Sequence, residues 1–596
     1  MYYTREQHKR FLDKELAAIS EEYLKKLNSK ALALLAENEV YISQFVKLDF
    51  KKDNSNDLEH NVLGSGQMIL RFKKDKGIPR KNEYFTAIVI EGKIMCSPRN
   101  WGEISWGNLR RHQVEFSEVH CVWQGKTDDN GFLLCGFAGL SIEMAEFLEN
   151  KEGCVIVLGP QEPPMDYYQN LIEIVNNKDT NMVAKEILDF DKKTVAWNPV
   201  HINSNKEQVD GIVKTLEVTP QLIFQGPPGT GKTFLMAELV EHLLSQNKSI
   251  LVTAMTNRAL MELAEKDCLK KILSERRIMK TSVSSDELTV CKNIVPIDSK
   301  KITCVPGSLT LTTFYNSSGW AKLCYNERPF DYVIMDEASQ ALFGMIAACK
   351  NLGQKVIWIG DQNQMQPIVL LSKESLIRND FTMLANGFVT LCGNFDFKSY
   401  ILTETHRLLT KSAKLTSIFY HTPIKSVAEF DYIFAKNNLN YLPKDGGTVL
   451  LFKKMPVGEK ADKDCCDFTI GIVKDILSTQ PKIKIAVLTK FRAAVRMLQN
   501  RFVSRYGSKE NVLIDTVERV QGLTCDVCIY HIPNTMMSMS LDKPLFNVAT
   551  SRAKQLTIII ADNSILNTPC HRDVQSYLSE ITSGIIPNQQ KETSVE

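Results

Sequence analysis

The sequence predicts an α/β protein: two tandem units with parallel sheets, preceded by a small β-barrel on a helical stalk. Three patterns carry this reading. From about residue 196, apolar strand-like runs alternate with helical segments, and the alternation occurs twice, as βαβ units around parallel sheets require. Between 39 and 159 the runs are short and β-type, with turn-rich stretches between them. Before residue 39, apolar side chains recur at helical spacing among charged ones.

Taken in order, Phe11, Leu16, Ile19, Tyr23, Leu24, Leu27 and Leu32 give residues 1–38 the pattern of a helix, either a stalk or simply a domain edge. Runs at 41–50, 67–72, 84–95, 113–123, 132–137 and 154–158 supply the strands of an accessory barrel over 39–159. Residues 160–195, polar and helical in texture, read as a second stalk segment. The first parallel unit, 196–395, has the strands Gln221-Leu-Ile-Phe-Gln, Ser249-Ile-Leu-Val-Thr, Tyr332-Val-Ile-Met and Lys355-Val-Ile-Trp-Ile. The second, 396–582, has Gly447-Thr-Val-Leu-Leu-Phe, 483–488, Val512-Leu-Ile, Val527-Cys-Ile-Tyr and Leu556-Thr-Ile-Ile-Ile-Ala. The polar tail 583–596 reads as disordered.

A chain of 596 residues has room for several domains, each with its own core. Its net charge of +3 is too small for the whole surface to attract polyanions, so any nucleic-acid binding must come from local patches. The 15 cysteines are scattered, as reduced thiols of an intracellular protein are. Cys525 and Cys528 form a lone C-x-x-C in a strand-like run; with no second ligand pair at comparable spacing, they read as core residues rather than a zinc site. The first ten residues have no apolar signal core and no apolar run reaches the length of a membrane span, so a cytoplasmic location without membrane attachment is expected.

Chemistry enters at Gly226, Pro227, Pro228, Gly229, Thr230, Gly231, Lys232 and Thr233, a phosphate-loop pattern set between a strand and a helical run. Glycines let the backbone wrap phosphates, Lys232 neutralises the β and γ oxygens of ATP, and Thr233 can ligate Mg2+. Asp336 and Glu337 end an apolar strand of the same unit, at the edge of the sheet where the phosphate loop lies. Asp336 is expected to hold the metal and Glu337 to orient and deprotonate the attacking water. Phosphoryl transfer also needs positive charge beyond the γ-phosphate; Arg407 and Arg552, both in the second unit, are the candidates, so the two units would have to close on each other.

From 205 to 553 these and further blocks are collinear with the superfamily 1 helicases of the nonsense-mediated-decay type, which the chain resembles. Gln208 stands where that family reads adenine, and Asp336-Glu-Ala-Ser-Gln340 looks like its Walker B segment. Gly360-Asp-Gln-Asn-Gln-Met-Gln-Pro367 is similar to its third motif, which makes Gln364 the γ-phosphate sensor. Thr405-His-Arg407, Thr516-Val-Glu-Arg-Val-Gln-Gly522 and Asn547-Val-Ala-Thr-Ser-Arg552 match later motifs, and place Glu518 and Gly522 with the nucleotide-binding residues. The resemblance implies two RecA-like domains, Arg407 and Arg552 as arginine fingers, and ATP-driven 5′ to 3′ movement on single-stranded RNA or DNA. It also assigns Thr253, Thr256, Asn257, Thr312, Thr313, Thr489 and Arg492 to a nucleic-acid backbone, contacts that ignore sequence as a translocating enzyme requires.

Several features stay open on sequence. Arg71-Phe-Lys-Lys-Asp-Lys and Pro79-Arg-Lys are either a basic edge of the barrel or solvated loops, and Trp101, Trp106 and Trp123 are either base-stacking or buried. His406 replaces a tyrosine that often stacks on adenine, Ala494 replaces a usual glutamine, and the family's cysteine-histidine zinc domain has no counterpart. An ATP-switched nucleic-acid clamp with little unwinding is the alternative function. A small-molecule kinase is disfavoured because it has no use for the motifs after the phosphate loop.

Overall fold

The computed structural model describes residues 2–582 apart from 51–65, 74–77, 81–82, 93–95, 128–130, 150, 152, 180–181, 437–438, 508, 510 and 521. The polar tail, Gln521 and part of each basic barrel stretch therefore lie outside the described residues.

The stalk is the helix Arg5–Asn28, followed by Ala31–Ala36. Phe11, Leu12 and Ile19 form one core with Tyr168 and Leu171 of the helix Met165–Asn176 and with Trp320 and Phe343 of the first parallel unit. Each such buried side chain contributes roughly 2 kcal/mol, so the first part of the stalk is fixed to that unit, while Leu27, Ala31 and Leu34 pack in a core with the barrel's Ile88 and Val157. Glu15 is buried in the same seam, accepting from the backbone N–H groups of Leu370 (2.5 Å) and Leu371 (3.1 Å).

The barrel closes in the order Tyr41–Phe50, Gly66–Lys73, Phe132–Ala138, Gln113–Thr127, Tyr84–Ile90, Val155–Gly159, with the first and last strands paired antiparallel. Met68, Leu70, Phe72, Phe85, Val119 and Phe137 fill it, the alternation having put one face of every strand inward. Trp101 and Trp106 are buried in an adjoining core, and the Trp123 indole donates to Gln67 Oε1 at 2.7 Å. All three are packing residues in this structure.

The first parallel sheet has nine strands: Val295–Ile297, Ile278–Thr281, Leu309–Thr313, Ile250–Ala254, Phe330–Met335, Gly353–Gly360, Gln221–Gln225, Ser399–Leu402 and Val200–Ile202. The sequence reading found the four central ones and missed the shorter, threonine-bearing or peripheral ones. Ser399–Leu402 corrects the boundary set at 395: it pairs with Gln221–Gln225, so the first unit runs past residue 402 before the chain crosses over. The second sheet is Gly447–Phe452, Ala553–Ala561, Cys525–Ile532, Ile485–Thr489 and Val512–Thr516, again parallel throughout. Cys525 and Cys528 lie buried in its core. No helix among the described residues is long and apolar enough to cross a membrane.

Candidate nucleotide site between the parallel units

Because all strands of the first sheet run the same way, Gln225, Met335 and Gly360 end at one edge, with Gln225 opposite Gly360 and Met335 opposite Trp358. The phosphate loop leaves the first of these strands and enters the helix Lys232–Ser245. Gly229 and Gly231 take φ of +72° and +79°, and a Cβ on Gly226 would fall 2.1 Å from Lys232 Cγ. These glycines are fixed by backbone shape and by the return of the Lys232 side chain over the loop, whose Nζ donates to the Gly226 carbonyl. Burial lowers the pKa of Lys232, against which the carboxylates of Asp361 and Asp336 hold the proton on.

Asp336 is buried, and its Oδ1 accepts from the Glu337 backbone N–H at 2.8 Å. Glu337 sits in the left-handed region at φ +52°, a position that costs a non-glycine residue about 1–3 kcal/mol and recurs at functional sites. Its Oε2 is buried without a hydrogen-bond partner among the described residues. Burial, then the charges of Asp336 and Glu262, push the Glu337 carboxyl up to about 8. Thr233 opens the helix beside them. The Thr233 hydroxyl and the buried Asp336 carboxylate are oxygen donors of the kind that suits Mg2+.

The far wall comes from the crossover and the second unit. The His406 backbone N–H donates to the Gly229 carbonyl (2.9 Å) and the Thr405 hydroxyl to the Pro228 carbonyl (3.1 Å), which seats Arg407 against the loop. Arg552 is 1% exposed; its Nε donates to the Val548 carbonyl (2.9 Å) and its Nη2 to Gln364 Oε1 (3.4 Å). Gln364 Nε2 in turn donates to Asp361 Oδ2 at 2.5 Å. Arg407 Nη1 reaches only the Ser551 carbonyl, at 3.4 Å. Among the described residues neither guanidinium has a carboxylate ion-pair partner. Burial, then the charge of Arg552, pull Arg407 down to about 9, and burial lowers Arg552 as well. Arg552 is buried and Arg407 half-buried, and two like-charged groups held together with no direct carboxylate ion pair among the described residues can serve as an anion site.

Asp361, Tyr420 and Asn547 join the site through hydrogen bonds that sequence reasoning did not assign. Asp361 collects bonds from Gln364, from the Tyr420 hydroxyl (2.6 Å) and from Gln225 (3.4 Å). Asn547 donates to the Asn363 carbonyl (2.8 Å) and the Tyr420 hydroxyl (3.0 Å), tying the second unit to the first. Asp361 and Asn547 fall inside the matched blocks and so carried a signal; Tyr420 carried none.

Other expected residues are placed differently. Gln208 lies in the first turn of the helix Glu207–Val218, its N–H bonded to Asn205 Oδ1. Glu518, expected at the nucleotide, pairs with Lys490 and lines a separate cavity, and Gly522 is exposed with φ +81°. Three nucleic-acid candidates need correction. Thr253 is wholly buried, its hydroxyl on Ser317; Thr312 is wholly buried, its hydroxyl on Thr281; Thr489 is wholly buried too. Strands packed on both faces turn these hydroxyls into the core. Thr313 is almost as deep. Thr256 and Asn257 are exposed at a helix start, where the Thr256 hydroxyl caps Ala259 N–H, and Arg492 is exposed beside Glu39 (3.9 Å). His406 packs its ring nitrogen on the Ser204 hydroxyl at 3.2 Å, and Ala494 is buried.

Two family models, both described as an AAA domain, match residues 203–370 and 451–564, which contain the phosphate loop and Arg552 respectively. The DNA replication ATP-dependent helicase/nuclease DNA2 of Saccharomyces cerevisiae is 25% identical over 61% of this chain and 26% of its own length. The putative helicase mov-10-B.2 of Danio rerio is 23% identical over 60% and 41% of the two lengths, and RNA helicase Mov10l1 of Homo sapiens 22% over 66% and 36%. The chain thus spans less than half the length of these curated relatives. A solved arterivirus nonstructural protein 10 helicase aligns over 81% of this chain and 77% of that one, at 15% identity and a TM-score of 0.33. With its phosphate loop and paired acids inside the first match and Arg552 inside the second, the chain is similar to the superfamily 1 helicases of the Upf1-like type.

Proposed function

We propose that the chain is an ATP-dependent helicase or translocase on single-stranded RNA or DNA, moving 5′ to 3′ and hydrolysing ATP between its two parallel-sheet domains. One observation carries this reading: Arg407 and Arg552, with no carboxylate ion pair among the described residues, lie close enough to Lys232 of the phosphate loop for their charges to act on it. An ATP triphosphate supplies the missing counter-charge, so its binding and loss act directly on the interdomain contact.

In this mechanism the loop from Gly226 to Thr233 and Lys232 bind the phosphates, and Gln208 faces the adenine. Thr233 and Asp336 would hold Mg2+, which when bound would supply charge neutralisation to the phosphates. Glu337 takes the proton of the attacking water, a task suited to a carboxyl whose pKa is raised towards neutrality. Arg407 and Arg552 stabilise charge on the transferring group, and Gln364, hydrogen-bonded to both Asp361 and Arg552, responds to the γ-phosphate. Thr256, Asn257 and Arg492 are the exposed candidates for strand contact. The relatives' names refer to DNA replication in one case and RNA in another, so both strands belong in the test.

That test is hydrolysis by the purified chain with matched single-stranded RNA and DNA, then unwinding of a tailed duplex. Stimulation by one strand, unwinding, and loss of both in Lys232→Ala are expected. Strand-stimulated hydrolysis that survived Lys232→Ala would overturn the proposal; ATP-controlled binding without unwinding would replace it with a switched clamp.

A further inference from the structure

A cavity of about 110 Å³ opens where the stalk and both parallel units meet, apart from the nucleotide site. Its walls include Tyr168 from the stalk helix, Met255 and Tyr315 from the first unit, Gln366 and Pro367 from the segment after Gln364, and Glu518 from the second unit. Tyr315 is only partly buried, its ring edge-on to Tyr167 with centroids 5.4 Å apart, and Tyr167 meets Tyr168 at the same spacing. The wall therefore carries three tyrosine rings set edge-on to one another, of which Tyr315 is the most exposed.

Its polar groups are few and under-used. Tyr315 OH donates to Met255 Sδ at 3.8 Å, a weak acceptor. Glu518 pairs with Lys490, yet its Oε2 is buried with no hydrogen-bond partner among the described residues. A buried carboxylate oxygen left so costs free energy unless something donates to it. Apolar walls with one or two convergent polar groups are the composition of a ligand site.

Location identifies the ligand. Met255 directly precedes the exposed pair Thr256 and Asn257, and Lys490, partner of Glu518, lies two residues before exposed Arg492. The cavity thus sits among the groups available to a sugar-phosphate backbone. We propose that it is a subsite for one nucleobase of the bound single strand, stacked on Tyr315 and met by Glu518; this rests on the nucleic-acid reading above. A carboxylate accepts from an exocyclic amine, so cytosine or adenine is favoured over uracil or thymine. Since the aromatic wall belongs to the stalk helix and the first unit and the carboxylate to the second, the grip on the base changes whenever the units move.

The experiment measures binding of the full chain to short single strands, of whichever type stimulates hydrolysis, with bases present or replaced by abasic sites. The wild type is expected to bind the base-bearing strand at least about five-fold more tightly, the lower end of one base–aromatic stack. Tyr315→Phe should keep that difference, Tyr315→Ala should erase it while leaving affinity for the abasic strand unchanged, and Glu518→Gln should erase the preference for cytosine over the pyrimidine that lacks an amine. Equal wild-type affinities for the two strands, or equal losses for both in Tyr315→Ala, overturn the subsite. In the wild type, a 2-aminopurine walked along the strand should show one position of quenched emission; uniform emission overturns the subsite without any variant. A chain that binds neither strand refutes the helicase reading itself.

Discussion

Replacing Arg407 with methionine should make the nucleotide-free protein more stable while stopping its chemistry. Burial and the neighbouring Arg552 charge take the Arg407 guanidinium well below its ordinary range, to about 9. Below pH 9 the side chain is charged both folded and unfolded, so the full cost of charging it in place is present at pH 7. At about 1.4 kcal/mol for each factor of ten, that cost has a ceiling of about 5 kcal/mol. Local relaxation and water reduce it, and the long bond to the Ser551 carbonyl is lost with the guanidinium, which leaves an expected gain of about 1–3 kcal/mol. Methionine keeps the packing volume. The assay is urea unfolding with and without a non-hydrolysable ATP analogue, followed by steady-state hydrolysis. The analogue should stabilise the wild type more than Arg407→Met, since only the wild type gains by neutralising the pair, and kcat should fall about 10³-fold or more. Destabilisation of the nucleotide-free variant, or equal stabilisation of both proteins by the analogue, would refute the idea that this arginine is held in an unneutralised anion site.

Glu337→Gln should bind ATP with near wild-type affinity and lose about 10²–10⁴-fold in turnover, read by equilibrium binding and single-turnover hydrolysis; retained turnover removes Glu337 as the base. His531 is buried against the Thr469 hydroxyl and held at about 4, below its ordinary 6.5, so the folded state binds fewer protons than the unfolded one between those values. Stability should therefore fall as pH drops through this window, by about 2 kcal/mol at pH 5, and His531→Asn should flatten that limb of the unfolding profile; an unchanged profile excludes His531 as its source. Glu15→Ala strands two buried backbone N–H groups and should cost about 2–4 kcal/mol in thermal or urea unfolding, whereas a loss below about 0.5 kcal/mol would show that the amides of Leu370 and Leu371 find water.

What the sequence made legible was local. A strand, a glycine turn and a helix follow one another around Gly226 to Lys232, so residue order alone states the geometry, and Asp336-Glu337 at a strand end carries the same kind of information. Arg552 was legible because its block lies in a second unit that must face the first for any arginine to reach the phosphates. Side-chain direction was not legible. Thr253 lies three residues before exposed Thr256, but its strand and that of Thr312 are covered on both faces, and their hydroxyls pair with Ser317 and Thr281 instead of pointing out. Glu518 shows the same limit: its block is right for the family, while its carboxylate turns to Lys490 and a cavity that no spacing rule describes. Ser399–Leu402 was missed because four residues are too few for periodicity to register, and its place in the first sheet is decided by Gln221–Gln225 alongside it.

The segment from Gly360 to Leu371 explains how chemistry at the phosphates can be felt at the stalk without a diffuse network. At its start Asp361 and Gln364 meet Tyr420 and Arg552 of the second unit. In its middle Met365 packs on the second unit's core, and Gln366 and Pro367 wall the aromatic cavity. At its end the amides of Leu370 and Leu371 are pinned by Glu15 of the stalk helix that leads to the barrel. Covalent continuity couples these three points more rigidly than side-chain contacts of similar span, so a shift of Gln364 has few places to dissipate. Changes along the segment should therefore separate functions: near Gln364 they act on hydrolysis, near Pro367 on strand affinity, and at Glu15 on how far nucleic acid stimulates hydrolysis. Equal effects of a Glu15 change on basal and stimulated rates would mean that the stalk only supports the fold.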